Sequence, residues 1–109
     1  MYNQADIIIV PFPFSNLRGS KLRPVIIISN SIVNRRNDVI VAQITSNLHS
    51  DEFSFKITDS KITSILFYES EIRCHKLFTI DKSLIKKKIA GMDDFTFKEL
   101  INKIKSLFN

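Results

Sequence analysis

The chain has 109 residues, of which 44% are hydrophobic and 25% charged, and a formal net charge of +5. That length fills one core, so residues 1–109 read as a single domain, and the balance is that of a folded chain rather than a disordered one. A single cysteine, Cys74, excludes an internal disulfide framework; with no basic n-region ahead of an apolar core and no apolar run near the ~20 residues of a membrane span, the expected compartment is the cytoplasm.

In chain order, "DIIIVPF" (6–12) is a β-rich run that ends at prolines and predicts a buried strand. Residues 13–22 collect Ser, Asn, Arg, Gly and Lys and predict a loop in which Gly19 can take φ > 0. "RPVIIIS" (23–29) predicts a second strand, with Pro24 at its start, where a missing N–H is tolerated. A connection over 30–37 leads to a third strand, "DVIVAQITS" (38–46), and a polar loop over 47–52 to a half-exposed strand, "FSFKIT" (53–58). A short strand is expected within "SILFYES" (64–70). In "EIRCHKLFTI" (71–80), alternation sets Ile72, Cys74 and Lys76 on one face and Glu71, Arg73 and His75 on the other. A turn and a short basic strand fill 81–92. The period then changes: Phe97, Leu100, Ile101, Ile104, Leu107 and Phe108 mark an amphipathic helix, capped either by Asp93 or by a Thr96–Glu99 capping box. Short strands followed by one helix predict a mainly β fold, a small SH3-like barrel of curved antiparallel strands with a C-terminal helix.

The positive charge favours polyanionic partners without identifying one. No Cys or His pair stands at zinc-ligand spacing, and no Walker loop, Rossmann glycine pattern or Ser-His-Asp signature occurs; no metal or cofactor is expected. Polar residues at strand ends remain. If strands two and three form a hairpin centred on Asn34, Arg23 and Thr45 are equidistant from the centre and lie opposite each other, with Cβ atoms ~5 Å apart. A guanidinium grips phosphate oxygens and a hydroxyl adds a neutral hydrogen bond. The plainer alternative is a surface arginine and an ordinary strand threonine. Arg73 and His75 form a second pair on one strand face; His75 is able to carry a proton near neutral pH, and the plainer alternative is simple exposure. Cys74 points to the core and has little support as a nucleophile. The run Lys86–Lys88 is either a solvated face or a track for a phosphate backbone.

The segments "DIIIVPFPFSNLRGSKLRPVIIIS", "DVIVAQITS" and "IRCHKLFTIDKSLIKKKI", in this order and followed by a closing helix, resemble the MazF/PemK family of toxins from type II toxin–antitoxin systems. The resemblance implies an SH3-like barrel with a C-terminal helix, usually a homodimer. It implies a metal-independent endoribonuclease that cuts single-stranded RNA at short sequences and is restrained by a cognate antitoxin in the RNA groove. Carried over by position, the family's catalytic arginine falls on Arg23 and its strand-three threonine on Thr45, with Ser46 beside it. An arginine and an acid used by some members fall on Arg73 and His75, where histidine replaces the acid. Two further departures are Ala5, where glycine is common, and "TSILFYES" (63–70), where a Gly-Leu segment is usual.

Family resemblance and chemistry together lead to an expected mechanism. The RNA 2′-OH attacks the adjacent phosphorus, leaving a 2′,3′-cyclic phosphate and a 5′-OH. Arg23 and Thr45 stabilise the phosphoryl charge, and His75 is the better proton carrier because arginine stays protonated. Arg18, Gly19 and Lys21 in the 14–22 loop, with Ser46 and Arg73, are expected to contact the substrate, and bases to stack on Phe14 or Tyr68. Two rivals share the barrel: a gyrase-type protein-binding poison, and a non-catalytic RNA-binding module.

Overall fold

The computed structural model describes residues 1–13 and 20–109, except the side chains of Pro13 and Ser20. Six strands form one antiparallel sheet: β1 (Asp6–Pro13), β2 (Ser20–Ile27), β3 (Asp38–Thr45), β4 (Ser54–Lys56), β5 (Glu71–Asp81) and β6 (Lys87–Gly91). They run in the order β4-β5-β3-β2-β1-β6 and curl into a half-barrel. Three helices join them: α1 (Ser31–Asn34), α2 (Ser60–Leu66) and α3 (Asp94–Ser106). None is long and apolar enough to cross a membrane.

The strands are apolar on both faces because both faces are covered. On one face Ile8, Val10, Val25, Ile27, Val39 and Val41 are fully buried around Ile80 and Ile85. On the other, Ile7, Ile26, Ala42, Ile44, Ile72 and Cys74 pack under Ile62 of α2 and Phe97, Leu100 and Ile104 of α3. Each fully buried Val or Ile contributes about 1.5–3 kcal/mol of transfer free energy. The α3 stripe lies where its 3.6-residue period places it. Asp93 provides the N-cap: its carboxylate accepts from the Thr96 N–H at 3.0 Å, so the Thr96–Glu99 alternative does not form the start of the helix. Lys103 ties α3 to β4 through the Ser54 carbonyl, at 2.7 Å.

Several expectations need correction. No strand forms within "SILFYES": Ser60–Leu66 is α2, capped by the Asp59 side chain and ended by Phe67 in the left-handed region at φ 66°. Its apolar residues Ile62, Ile65 and Leu66 recur at helical spacing, but the run is too short for periodicity to separate helix from strand. The 30–37 connection contains α1, where the buried Asn34 amide donates to the Ser29 carbonyl at 2.6 Å and its carbonyl oxygen accepts from the Ser29 hydroxyl. β2 starts at Ser20, not Arg23, so Lys21 is a strand residue paired with Phe12. β4 has three residues where six were expected.

Alternation also fails along β5. Gln43 pairs with Arg73 while its neighbour Ala42 pairs with Leu77, so β3 offers no partner to Cys74, His75 and Lys76. This irregularity changes the phase of the strand. Cys74 is buried, whereas Lys76, expected on the same face, is exposed.

Candidate functional site

Pro24 shapes the site. The β2–β3 ladder runs Ile27↔Val41, Ile26↔Ala42, Val25↔Gln43 and stops there, because the next residue has no N–H with which to continue it. The register is that of a hairpin centred on Asn34. Carried two residues further, it sets Arg23 opposite Thr45 beyond the last hydrogen-bonded pair. Arg23 is half-buried and pairs across β1 with Val10, and Thr45 pairs across β5 with Glu71. Paired residues share a face, so Lys21, Arg23, Gln43, Thr45, Glu71 and Arg73 stand on the same side of the sheet as Val10 and Val25. The Thr45 Oγ1 accepts from the Asn47 N–H at 3.1 Å, which leaves its O–H free to donate.

Ser46 lies beyond the end of β3, on the other side. There it lines a cleft of about 230 Å³ with Lys21, Arg23, Pro24, Tyr68 and Ser70. The Tyr68 ring at the mouth of this cleft is 68% exposed. Arg23 therefore borders both sides of the sheet end, while Thr45 and Ser46 diverge. Arg18, Gly19 and Phe14 lie outside the described residues.

Arg73 sits in a buried ionic cluster that sequence reasoning did not anticipate. It is 6% exposed, and its guanidinium forks onto Asp51 at 2.8 and 3.0 Å while also reaching Glu71 at 2.7 Å. Glu71, 1% exposed, accepts from the Ser54 hydroxyl at 2.6 Å and from the N–H groups of His49 and Ser50 at 3.0 and 3.2 Å. The bond from Arg73 holds the Asp51 carboxyl well below the usual carboxylate range. Burial pushes Glu71 up, but the bonds from Ser54, Arg73 and the two backbone amides outweigh it and bring it below its ordinary value. Arg73 is raised, by the Asp51 bond first, against its burial. The cluster pins the loop that leaves Thr45, residues 46–53, to β5. Nothing in the alternation of 71–75 distinguished this buried pair from an exposed one; the acid two residues before Arg73 was the only signal.

His75 is exposed on the β5 irregularity and stacks on Phe53, with ring centroids 4.1 Å apart and 26° between planes. Phe53 also lies under the Arg73 guanidinium, at 6.0 Å. Burial of the imidazole by its neighbours, then the charges of Arg73 and Lys76, lower the His75 pKa. β5 is two strands from β2, and no described contact brings His75 to Arg23 or Thr45. Burial raises the Cys74 thiol, offset in part by Lys103 and Arg73, and Cys74 is fully enclosed; an enclosed, protonated thiol is a poor nucleophile. Among the described residues, no group of His, Cys, Asp and Glu could hold a metal ion.

Comparison with known proteins places these features. A family profile described as "PemK-like, MazF-like toxin of type II toxin-antitoxin system" matches residues 3–108. A relative named Endoribonuclease MazF, from Staphylococcus saprophyticus, is 32% identical over 94 residues, covering 83% of this chain and 78% of the relative. Among solved structures, a mycobacterial endoribonuclease in complex with its cognate antitoxin superposes with a TM-score of 0.81 at 12% identity, over 99% of this chain and 95% of that one. A MazE–MazF complex from Deinococcus radiodurans gives 0.78 at 15% identity, over 98% and 95%, and Mycobacterium tuberculosis toxin MazF-mt6 gives 0.71 at 20%, over 93% and 95%. At those identities the structures establish the half-barrel fold, and the profile and the staphylococcal relative establish the rest: the chain belongs to the PemK-like, MazF-like toxins of type II toxin–antitoxin systems.

Proposed function

We propose that this toxin is an endoribonuclease that cuts single-stranded RNA in the cytoplasm by internal transphosphorylation, and that a cognate antitoxin restrains it. The observation that carries the reading is the opposition of Arg23 and Thr45 at the end of β2–β3, where Pro24 stops the ladder, in a chain 32% identical to a protein named endoribonuclease. The RNA 2′-oxygen bonds to the adjacent phosphorus as the bond from phosphorus to the 5′-oxygen breaks. The 2′-OH proton leaves to a base, and the departing 5′-oxygen takes one up. Negative charge grows on the non-bridging oxygens, where the Arg23 guanidinium, aided by the Thr45 hydroxyl, stabilises it. A fixed cation at this point makes a metal ion unnecessary. His75, with its lowered pKa, is mostly neutral at pH 7 and suited to accept a proton. Because its strand β5 lies two from the β2 strand of Arg23, the substrate or a second copy of the chain has to bring it to the reacting atoms. Lys21, Ser46 and, from the family resemblance, Arg18 and Gly19 contact flanking nucleotides. Arg73, already engaged with Asp51 and Glu71, serves the substrate through the loop it holds.

The solved neighbours that carry an antitoxin support the partner assignment, and the family resemblance supports a homodimer. The test is a long single-stranded RNA incubated with purified protein in EDTA. Products bearing 5′-OH and 2′,3′-cyclic phosphate ends are expected, with cleavage suppressed by the antitoxin; 5′-phosphate ends, or cleavage only when metal is restored, refute the chemistry.

A further inference from the structure

Gln43 stands third from the end of β3, where nothing in its packing calls for a polar side chain. Its strand neighbour on the same face is Val41, fully buried, and its partner across β2 is Val25, also fully buried. A valine would continue that face. On the β5 side it pairs with Arg73, whose guanidinium is turned to Asp51, Ser54 and Glu71. Gln43 is half-buried, and among the described residues its amide makes no hydrogen bond. A half-buried amide flanked by two valine positions, with no hydrogen-bond partner among the described residues, has spare recognition capacity.

Its position gives that capacity a use. Gln43 is two residues before Thr45, roughly 7 Å along the strand, and diagonal to Arg23 across the extended β2–β3 register, also about 7–8 Å. The β5 irregularity opens next to it, where Cys74, His75 and Lys76 have no partner in β3, a kind of break that recurs beside active sites and re-aims side chains. On the reading of the site as a ribonuclease, those spacings set Gln43 within one nucleotide's length of a phosphate held by Arg23 and Thr45.

We infer that Gln43 is a specificity-determining residue that reads the edge of a base next to the scissile phosphate. Its carboxamide offers one donor direction and one acceptor direction side by side, which matches the N7 acceptor and 6-amino donor of adenine and not the paired N7 and O6 acceptors of guanine. In single-stranded RNA such edges are free to be read.

The experiment sequences the cleavage ends that wild type, Gln43→Met and Gln43→Glu produce from one long RNA. Wild type is expected to prefer adenine at one position flanking the cut. Gln43→Met should flatten that preference tenfold or more relative to the other positions, and Gln43→Glu should move it towards cytosine, whose amino group a carboxylate accepts from. A second arm needs no variant: with wild-type protein, replacing that adenine by 2-aminopurine, which lacks the 6-amino group, should slow cleavage at least tenfold. A motif with no adenine beside the cut, unchanged preferences in both variants, or indifference to 2-aminopurine overturns the assignment while leaving the ribonuclease reading intact. If the wild-type protein cuts no RNA, both fall together.

Discussion

Replacing Arg73 by methionine leaves the Glu71 carboxylate enclosed without its cation, and the cost follows from burial. Exposed ion pairs contribute ~0.2–1 kcal/mol, whereas removing one partner of a buried pair costs ~3–5 kcal/mol. Arg73 is 6% exposed and Glu71 1%, so the buried range applies. Glu71 keeps three donors, from Ser54, His49 and Ser50, which sets the expected loss near its lower end, about 3 kcal/mol. With a urea dependence of ~1–3 kcal/mol per molar for a small domain, the unfolding midpoint falls by about 1–3 M. Glu71→Gln combined with Arg73→Met should recover part of the loss, because the neutral amide needs no cation; the double-mutant cycle measures the coupling. The carboxyls of Asp51 and Glu71 are depressed in the folded state. Their contribution is therefore complete above the ordinary carboxylate range near pH ~4 and is lost as pH falls through their folded-state values. Wild type should lose stability below about pH 4 more steeply than Arg73→Met does. A midpoint within 0.5 M of wild type, with the acid limb unchanged, would refute the reasoning and mark the cluster as a solvated pair.

Three further outcomes are expected. Phe67, at φ 66° and 85% exposed, ends α2 in a conformation that costs a non-glycine residue ~1–2 kcal/mol; Phe67→Gly should stabilise the fold by a net ~0.5–1 kcal/mol after the glycine's extra unfolded-state entropy, a rise of roughly 2–8 °C in thermal midpoint, and a fall would show that the ring is packed. Thermal melts should rank Asp93→Ala well below Thr96→Ala, since the Asp93 carboxylate caps α3; equal losses contradict that cap. If His75 accepts the proton, the cleavage rate should fall as pH drops through a value below the usual ~6.5, and that limb should vanish in His75→Gln; an identical profile in the variant excludes the role.

Much of the fold was legible because unbroken apolar runs and one helical period mark it. The isoleucine and valine runs of β1, β2 and β3 and the 3.6-residue stripe of α3 each had one reading, and the Asn34-centred hairpin supplied the register. What failed was short or irregular. Seven residues of α2 are too few for a period, and the β5 irregularity at Cys74–Lys76 breaks the alternation on which the facing of Lys76 was judged. The resemblance marked Ala5 and the "TSILFYES" segment as departures where glycine is usual, and the structure gives the reason: Ala5 at φ 76° and Phe67 at φ 66° both hold left-handed backbone. The Asp51–Arg73–Glu71 cluster escaped because it joins a loop to a strand over 22 residues, a pairing no local pattern encodes. Gln43 was within reach: the register that joined Arg23 to Thr45 also sets it on their face.

The central claim is that Arg23 stabilises the phosphoryl charge during RNA cleavage. Single-turnover cleavage of a long single-stranded RNA in EDTA, comparing wild type with Arg23→Ala, tests it most directly. Loss of one such charge-stabilising donor costs about 100-fold or more, so Arg23→Ala, folded as judged by its thermal melt, should cut at least 100-fold more slowly at every site. Cleavage by Arg23→Ala at the wild-type rate would contradict the account.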